Sequence, residues 1–171
     1  MIRKILVFPD PGLKKKSLPV TIINEKLREL VQDMAETMYD APGVGLAAPQ
    51  IGVHQRVIVI DISSRDETPG LIVAINPVIV HADGESYEEE GCLSVPKYAA
   101  NVRRHSRVVV KALNLQGEEI IYKAEGLLAI AFQHEIDHLE GILFIDHLSP
   151  LKRDIFRKKY RRLTEERQES L

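Results

Sequence analysis

Glu125-Gly126-Leu127-Leu128-Ala129-Ile130-Ala131-Phe132-Gln133-His134-Glu135-Ile136-Asp137-His138-Leu139-Glu140-Gly141 is the stretch around which the rest of the chain is read. Its composition favours a helix over 125–140, ended by Gly141. His134 and His138 stand four apart, on one face and one turn apart, so both imidazoles can reach one cation. Glu135 lies about 100° round the helix from His134 and about 60° from His138. It can therefore reach a water on that cation without being a ligand, as a general base for metal-assisted hydrolysis must. Leu127 and Ala131 share a stripe with the two histidines, so the imidazoles continue the face that turns to the core. Imidazoles facing a core need partners, and a metal supplies one. An isolated His on an apolar helix is more often a satisfied core residue; a pair in this register fits that description less well.

Working outward, residues 24–39 read as an amphipathic helix. Asn24 can cap it, and Leu27, Leu30, Val31, Met34 and Met38 fall on one face. Residues 41–52 are too rich in Gly and Pro for a regular helix. Strand-like Val/Ile runs follow at 56–62 and 71–75, and Pro77 interrupts before 78–81 resumes. Segments 107–113 and 118–122 flank Gln116-Gly117, which reads as a hairpin turn. Ser149-Pro150 starts a third helix from Leu151 to about Arg167. Strands grouped between helices, without βα alternation, predict an α+β fold. Mixed or antiparallel sheets would surround the central helix, with an amphipathic helix before it and a basic helix over 151–169 after it.

The chain has 171 residues, which suits a single catalytic domain over 1–171, and 44% apolar content can bury a proper core. A net charge of −2 is too near zero to imply DNA as a partner. No run of about eighteen apolar residues suggests a membrane span. Cys92 is the one cysteine, so no intramolecular disulfide can form, and a lone thiol is ordinary in a reducing compartment. The expected location is the cytoplasm.

A hydrolytic centre needs a third protein ligand and an open position. Cys92 is a candidate, in the segment Glu90-Gly91-Cys92-Leu93-Ser94-Val95-Pro96, which reads as irregular. It could instead be an inert buried thiol, or a nucleophile with His as its base. His54, His81, His105, His147 or an acidic side chain are the other possible ligands.

Three motifs occur together and in order: Gly43-Val44-Gly45-Leu46-Ala47-Ala48-Pro49-Gln50, Glu90-Gly91-Cys92-Leu93-Ser94, and Gln133-His134-Glu135-Ile136-Asp137-His138. On these the chain resembles the peptide deformylases, and the likeness spans nearly its whole length. The resemblance implies an enzyme that uses a metal-activated water to hydrolyse the formyl group from N-formylmethionyl nascent peptides, releasing formate. It implies Cys92, His134 and His138 as metal ligands, with water in the fourth position, and Glu135 as the base. Gln50 and the backbone N–H of Leu93 would donate to the formyl oxygen. Backbone groups of Val44, Gly45 and Gly91 would align the peptide as an added strand. Leu127, Ile130 and Ala131 would line the methionine pocket. The ligands suit Fe(II), Zn, Ni or Co, and the resemblance favours Fe(II) in the cell. Glu88 falls near the expected pocket mouth, where an apolar residue would be more usual. Asp137 is expected to hold His134 or His138, to pair with Arg103 or Arg104, or to be an exposed helix carboxylate.

The C-terminal helix carries Lys152, Arg153, Arg157, Lys158, Lys159, Arg161, Arg162 and Arg167 against Asp154, Glu165, Glu166 and Glu169. Such a run is usually a solvated face, but it also suits RNA phosphates. The resemblance implies docking on the ribosome through this helix. Two rivals are an endopeptidase sharing His-Glu-x-x-His, with His147 as the poor downstream candidate ligand, and a ribosome-associated binding protein with a structural metal site.

Overall fold

The computed structural model describes residues 1–63 and 70–169; the side chains of Thr164 and of residues 167–169 lie outside the description, Arg167 of the basic run among them. The order of the principal elements is α1 (Glu25–Asp40), β1 (Gly45–Ala47), β2 (Val57–Ile60), β3 (Ile72–Asp83), β4 (Ser86–Cys92), β5 (Val95–Arg104), β6 (Arg107–Leu113), β7 (Glu119–Glu125), α2 (Gly126–Leu139) and α3 (Pro150–Glu169). Five strands form one antiparallel sheet in the order β1-β2-β3-β6-β7, and β4 and β5 form a separate antiparallel pair. The fold is α+β, as the sequence implies.

The five-stranded sheet is covered on both faces. Ile58 and Ile60 of β2 pack with Phe132, Ile136 and Leu139 of α2, while Val57 and Val59 pack with Leu30, Met34 and Met38 of α1. A strand covered on both sides reads as the unbroken apolar run Val57-Ile58-Val59-Ile60. Helix α1 begins where the Asn24 side chain accepts from the Leu27 N–H at 3.1 Å, and its buried stripe contains each of the five apolar residues read from the sequence. At the Gln116-Gly117 turn, the Asn114 side chain accepts from the N–H groups of Gln116 and Glu118.

Two features differ from the sequence reading. The Pro77 interruption is a bulge inside one strand: β3 runs on through it, with a register shift between Ile75 and Val78 and Asn76 at φ 52°. The Asn76 side chain bonds both the N–H and the C=O of Val20, which ties the preceding loop to the bulge. The second difference is the β4–β5 hairpin. The segment around Cys92 is not irregular; Cys92 ends β4, and Leu93 and Ser94 form the tight turn into β5.

A third apolar cluster lies beside this hairpin. Val95 and Val102 pack with Phe144 and Ile145 of the short 3-10 helix Phe144–His147, and with Phe156 and Tyr160 of α3. This cluster fixes the hairpin against the 3-10 helix that follows α2 and against α3.

Candidate metal centre

Helix α2 changes character along its length. Its first half is apolar, but Gln133, His134, Glu135 and His138 are buried too. Gln133 locks the helix in place: its side chain accepts from the His105 N–H at 2.9 Å and donates to the His105 and Ala129 carbonyls. After Leu139 the helix stops, with the N–H of Gly141 returning to the His138 carbonyl at 3.1 Å and Gly141 at φ 75°.

That anchoring sets His134 and His138 facing the end of β4. The ligand atoms of Cys92, His134 and His138 all lie within 4.8 Å of one another. Cys92 Sγ is 3.4 Å from His138 Nε2. His134 Nδ1 lies 2.9 Å from Glu90 Oε1, which leaves Nε2 to face the group. His54 instead meets the Gly12 carbonyl, His81 meets Asp83, and His147 meets Asp137. Among the described residues, Cys92, His134 and His138 are the one group suited to hold a metal ion.

The electrostatics fit a cation here. Burial opposes charge on His134, but Glu135, Cys92 and Glu90 around it outweigh that and raise its pKa well above the usual imidazole range. Burial and then the neighbouring His134 push His138 well below that range. The same carboxylates that favour a proton on His134 would favour a metal ion, and binding an ion displaces any proton on the ligand nitrogens. A thiolate and two imidazoles match zinc, iron, nickel or cobalt.

Glu135 touches this group without belonging to it. Its Oε2 is 4.0 Å from His134 Nε2, and its Oε1 is buried with no hydrogen-bond partner among the described residues. Burial raises its carboxyl pKa to about 7. Gly45 makes room for it, since a Cβ at that position would lie 2.6 Å from Glu135 Oε2. Gln50 is buried and aimed: its Oε1 accepts from the Ala47 N–H at 2.9 Å, which turns Nε2 toward Ser94 Oγ at 3.1 Å and Cys92 Sγ at 3.6 Å. The turn holding Leu93 is tethered from outside by the Phe8 N–H bonding the Ser94 carbonyl at 2.8 Å.

Val44, Gly45, Gln50, Gly91, Cys92, Leu93, Leu127, Ile130, Ala131, His134 and Glu135 all line one cleft, so the structure brings the residues read from the sequence together. Glu88 is exposed on that cleft's wall. Asp137 pairs with Arg104 at 2.6 Å and with His147 at 2.8 Å, while Arg103 lies over the Tyr87 ring. Sequence reasoning gave no role to Glu90 or Ser94. Glu90 lies in the hairpin's acidic run Glu88-Glu89-Glu90, where nothing separates the buried carboxylate from its exposed neighbours.

The family model for polypeptide deformylase matches residues 2–154. The peptide deformylases of Thermodesulfovibrio yellowstonii and Syntrophobacter fumaroxidans are each 53% identical to the chain, covering 94% and 96% of it and 97% of their own lengths. A crystal structure of a peptide deformylase from Legionella pneumophila superposes with a TM-score of 0.91 at 50% identity, covering 98% of both chains. The Ehrlichia chaffeensis peptide deformylase in complex with actinonin superposes at 0.87 with 40% identity, over 94% of this chain and 96% of that one. With sequence, fold and chemistry in agreement, the chain belongs to the polypeptide deformylase family, the metal-dependent hydrolases that remove formyl groups from peptides.

Proposed function

We propose that the described residues act as one catalytic unit in which Cys92, His134 and His138 hold a divalent metal ion, Fe(II) in the cell, and Glu135 moves the proton. The observation that carries this reading is the three-atom group within 4.8 Å, with Oε1 of Glu135 buried beside it and without a hydrogen-bond partner among the described residues. When bound, the ion lowers the pKa of a water and polarises the formyl carbonyl. Glu135, with a pKa of about 7, is poised to accept a proton near neutrality and return it to the departing amine nitrogen. Gln50 Nε2 and the Leu93 N–H donate to the formyl oxygen as negative charge gathers on it.

Peptide binding follows from two strand edges. β1 is the end strand of its sheet, and β4 pairs on one side only. Both border the cleft through Val44, Gly45 and Gly91, so an N-formylmethionyl peptide fits between them as an added strand. Leu127, Ile130 and Ala131 supply the apolar wall for its methionine side chain.

The partner reading extends to the ribosome. Phe156 and Tyr160 pin α3 to the body, while Lys152, Arg157, Lys158, Lys159, Arg161 and Arg162 are exposed. A basic surface of this kind suits RNA phosphates. Reversing the charge of Arg157, Lys158, Arg161 and Arg162 tests it without removing the two core aromatics; unchanged co-sedimentation with ribosomes at low salt would refute it. No helix among the described residues is long and apolar enough to cross a membrane, and we place the enzyme in the cytoplasm as the site of translation.

The central test is formate release from formyl-Met-Ala-Ser, run alongside metal analysis of the wild type and of Cys92→Ser. Loss or change of metal in the variant supports the ligand set; full wild-type metal content rules Cys92 out.

A further inference from the structure

Arg104, on β5, has a side chain only 4% exposed and binds two carboxylates at once. Its Nε and Nη2 grip Glu90 as a fork, at 2.9 and 3.0 Å, and its Nη1 donates to Asp137 Oδ2 at 2.6 Å. The same Asp137 oxygen lies 2.8 Å from His147 Nε2, and His147 is 37% exposed. At the inner end, Glu90 Oε1 meets His134 Nδ1. A continuous polar chain therefore runs from the surface through Asp137, Arg104 and Glu90 to one of the three clustered residues, crossing the 3-10 helix, α2, β5 and β4.

We propose that Arg104 and His147 are positioning residues of the metal centre, holding Glu90 so that His134 keeps its Nδ1 proton and presents Nε2 to the ion. The inference rests on the ligand set proposed above. Glu90 is the group in direct contact. A carboxylate that accepts from the far nitrogen of a ligating His fixes both tautomer and ring orientation. A buried carboxylate does this only if it stays charged and does not rotate. Arg104 secures both conditions, because a bidentate fork sets the plane of the carboxylate as well as its charge. The guanidinium is itself held by Asp137, and His147 closes the solvent side of Asp137. The 3-10 helix that ends in His147 begins with Phe144, whose ring stacks on His134 at 6.1 Å. One short turn thus braces the ligand from two directions.

The test loads the enzyme with cobalt(II), follows the sulfur-to-cobalt absorption band, and measures the rate of metal loss to excess EDTA. Arg104→Lys keeps the charge and loses the fork; it should release cobalt about 10–100-fold faster, the usual effect of disturbing a ligand's outer partner. His147→Ala should speed release by about tenfold, and His147→Gln, which can still donate to Asp137, should stay within about twofold of wild type. Should Arg104→Lys fail to fold, the exposed His147 pair carries the test. A purely structural network would lower Tm while leaving release at low temperature unchanged. Wild-type release rates in folded variants, or equal rates for His147→Ala and His147→Gln, overturn the proposal alone. A wild-type cobalt protein lacking the sulfur band overturns the ligand set instead, and this inference with it.

Discussion

Helix α1 turns Leu27, Leu30, Val31, Met34 and Met38 to the sheet and leaves Arg28, Glu29 and Gln32 in water, whereas α2 buries Gln133, His134 and Glu135 together with Phe132 and Leu139. Both helices cover the same sheet from opposite faces. The first is held by apolar area and a cap. The second takes polar groups into the interior, where each unpaired one opposes folding. Gln133 and His134 are paired, but Glu135 Oε1 is not. The lesson is a division of labour: α1 carries stability, and the second half of α2 gives some of it up for chemistry.

Four substitutions sharpen or break that contrast. Glu135→Gln should lower kcat by about 10²–10⁴-fold, the range for removing a general base, with metal content unchanged. Its Tm should match or exceed that of the wild type, because a buried carboxyl raised to about 7 is a burden on the fold. Near wild-type turnover would end the base assignment. Gln50→Ala removes a preorganised donor and should reduce kcat by about 10²–10³-fold, read in the same formate assay. On α1 the currency is reversed. Met34→Ala leaves a cavity at a fully buried site and should cost about 3 kcal/mol in denaturant unfolding, with kcat of the folded fraction near wild type. Asn24→Ala loses the cap on Leu27 and should cost about 1 kcal/mol by the same measurement. A large loss of activity from either α1 variant under folding conditions would break the contrast.

What could be read from the sequence follows the same division. The α1 stripe, the unbroken β2 run and the Gly141 stop are local patterns, and each is found where the residues place it. The two histidines are legible because a helix fixes their spacing. The β4–β5 hairpin is not, because β4 lacks apolar alternation and reads as a polar, acidic run. Where an apolar pair would normally mark the inner face, Glu90 and Arg104 lie buried against each other. A pair separated by fourteen residues leaves no periodic trace, so the partner that orients His134 appears only when the chain is folded. Pro77 misleads for a related reason: a bulge absorbs it, and the strand continues on either side.

The open borders of β1 and β4 have a wider consequence. Two rows of main-chain amides facing across a trench match a repeat that every polypeptide has in common. On the binding mode proposed above, such a clasp would read the main chain rather than the side chains beyond the first residue. One small enzyme can then serve a whole proteome as it is made, with discrimination concentrated at the chain's leading end.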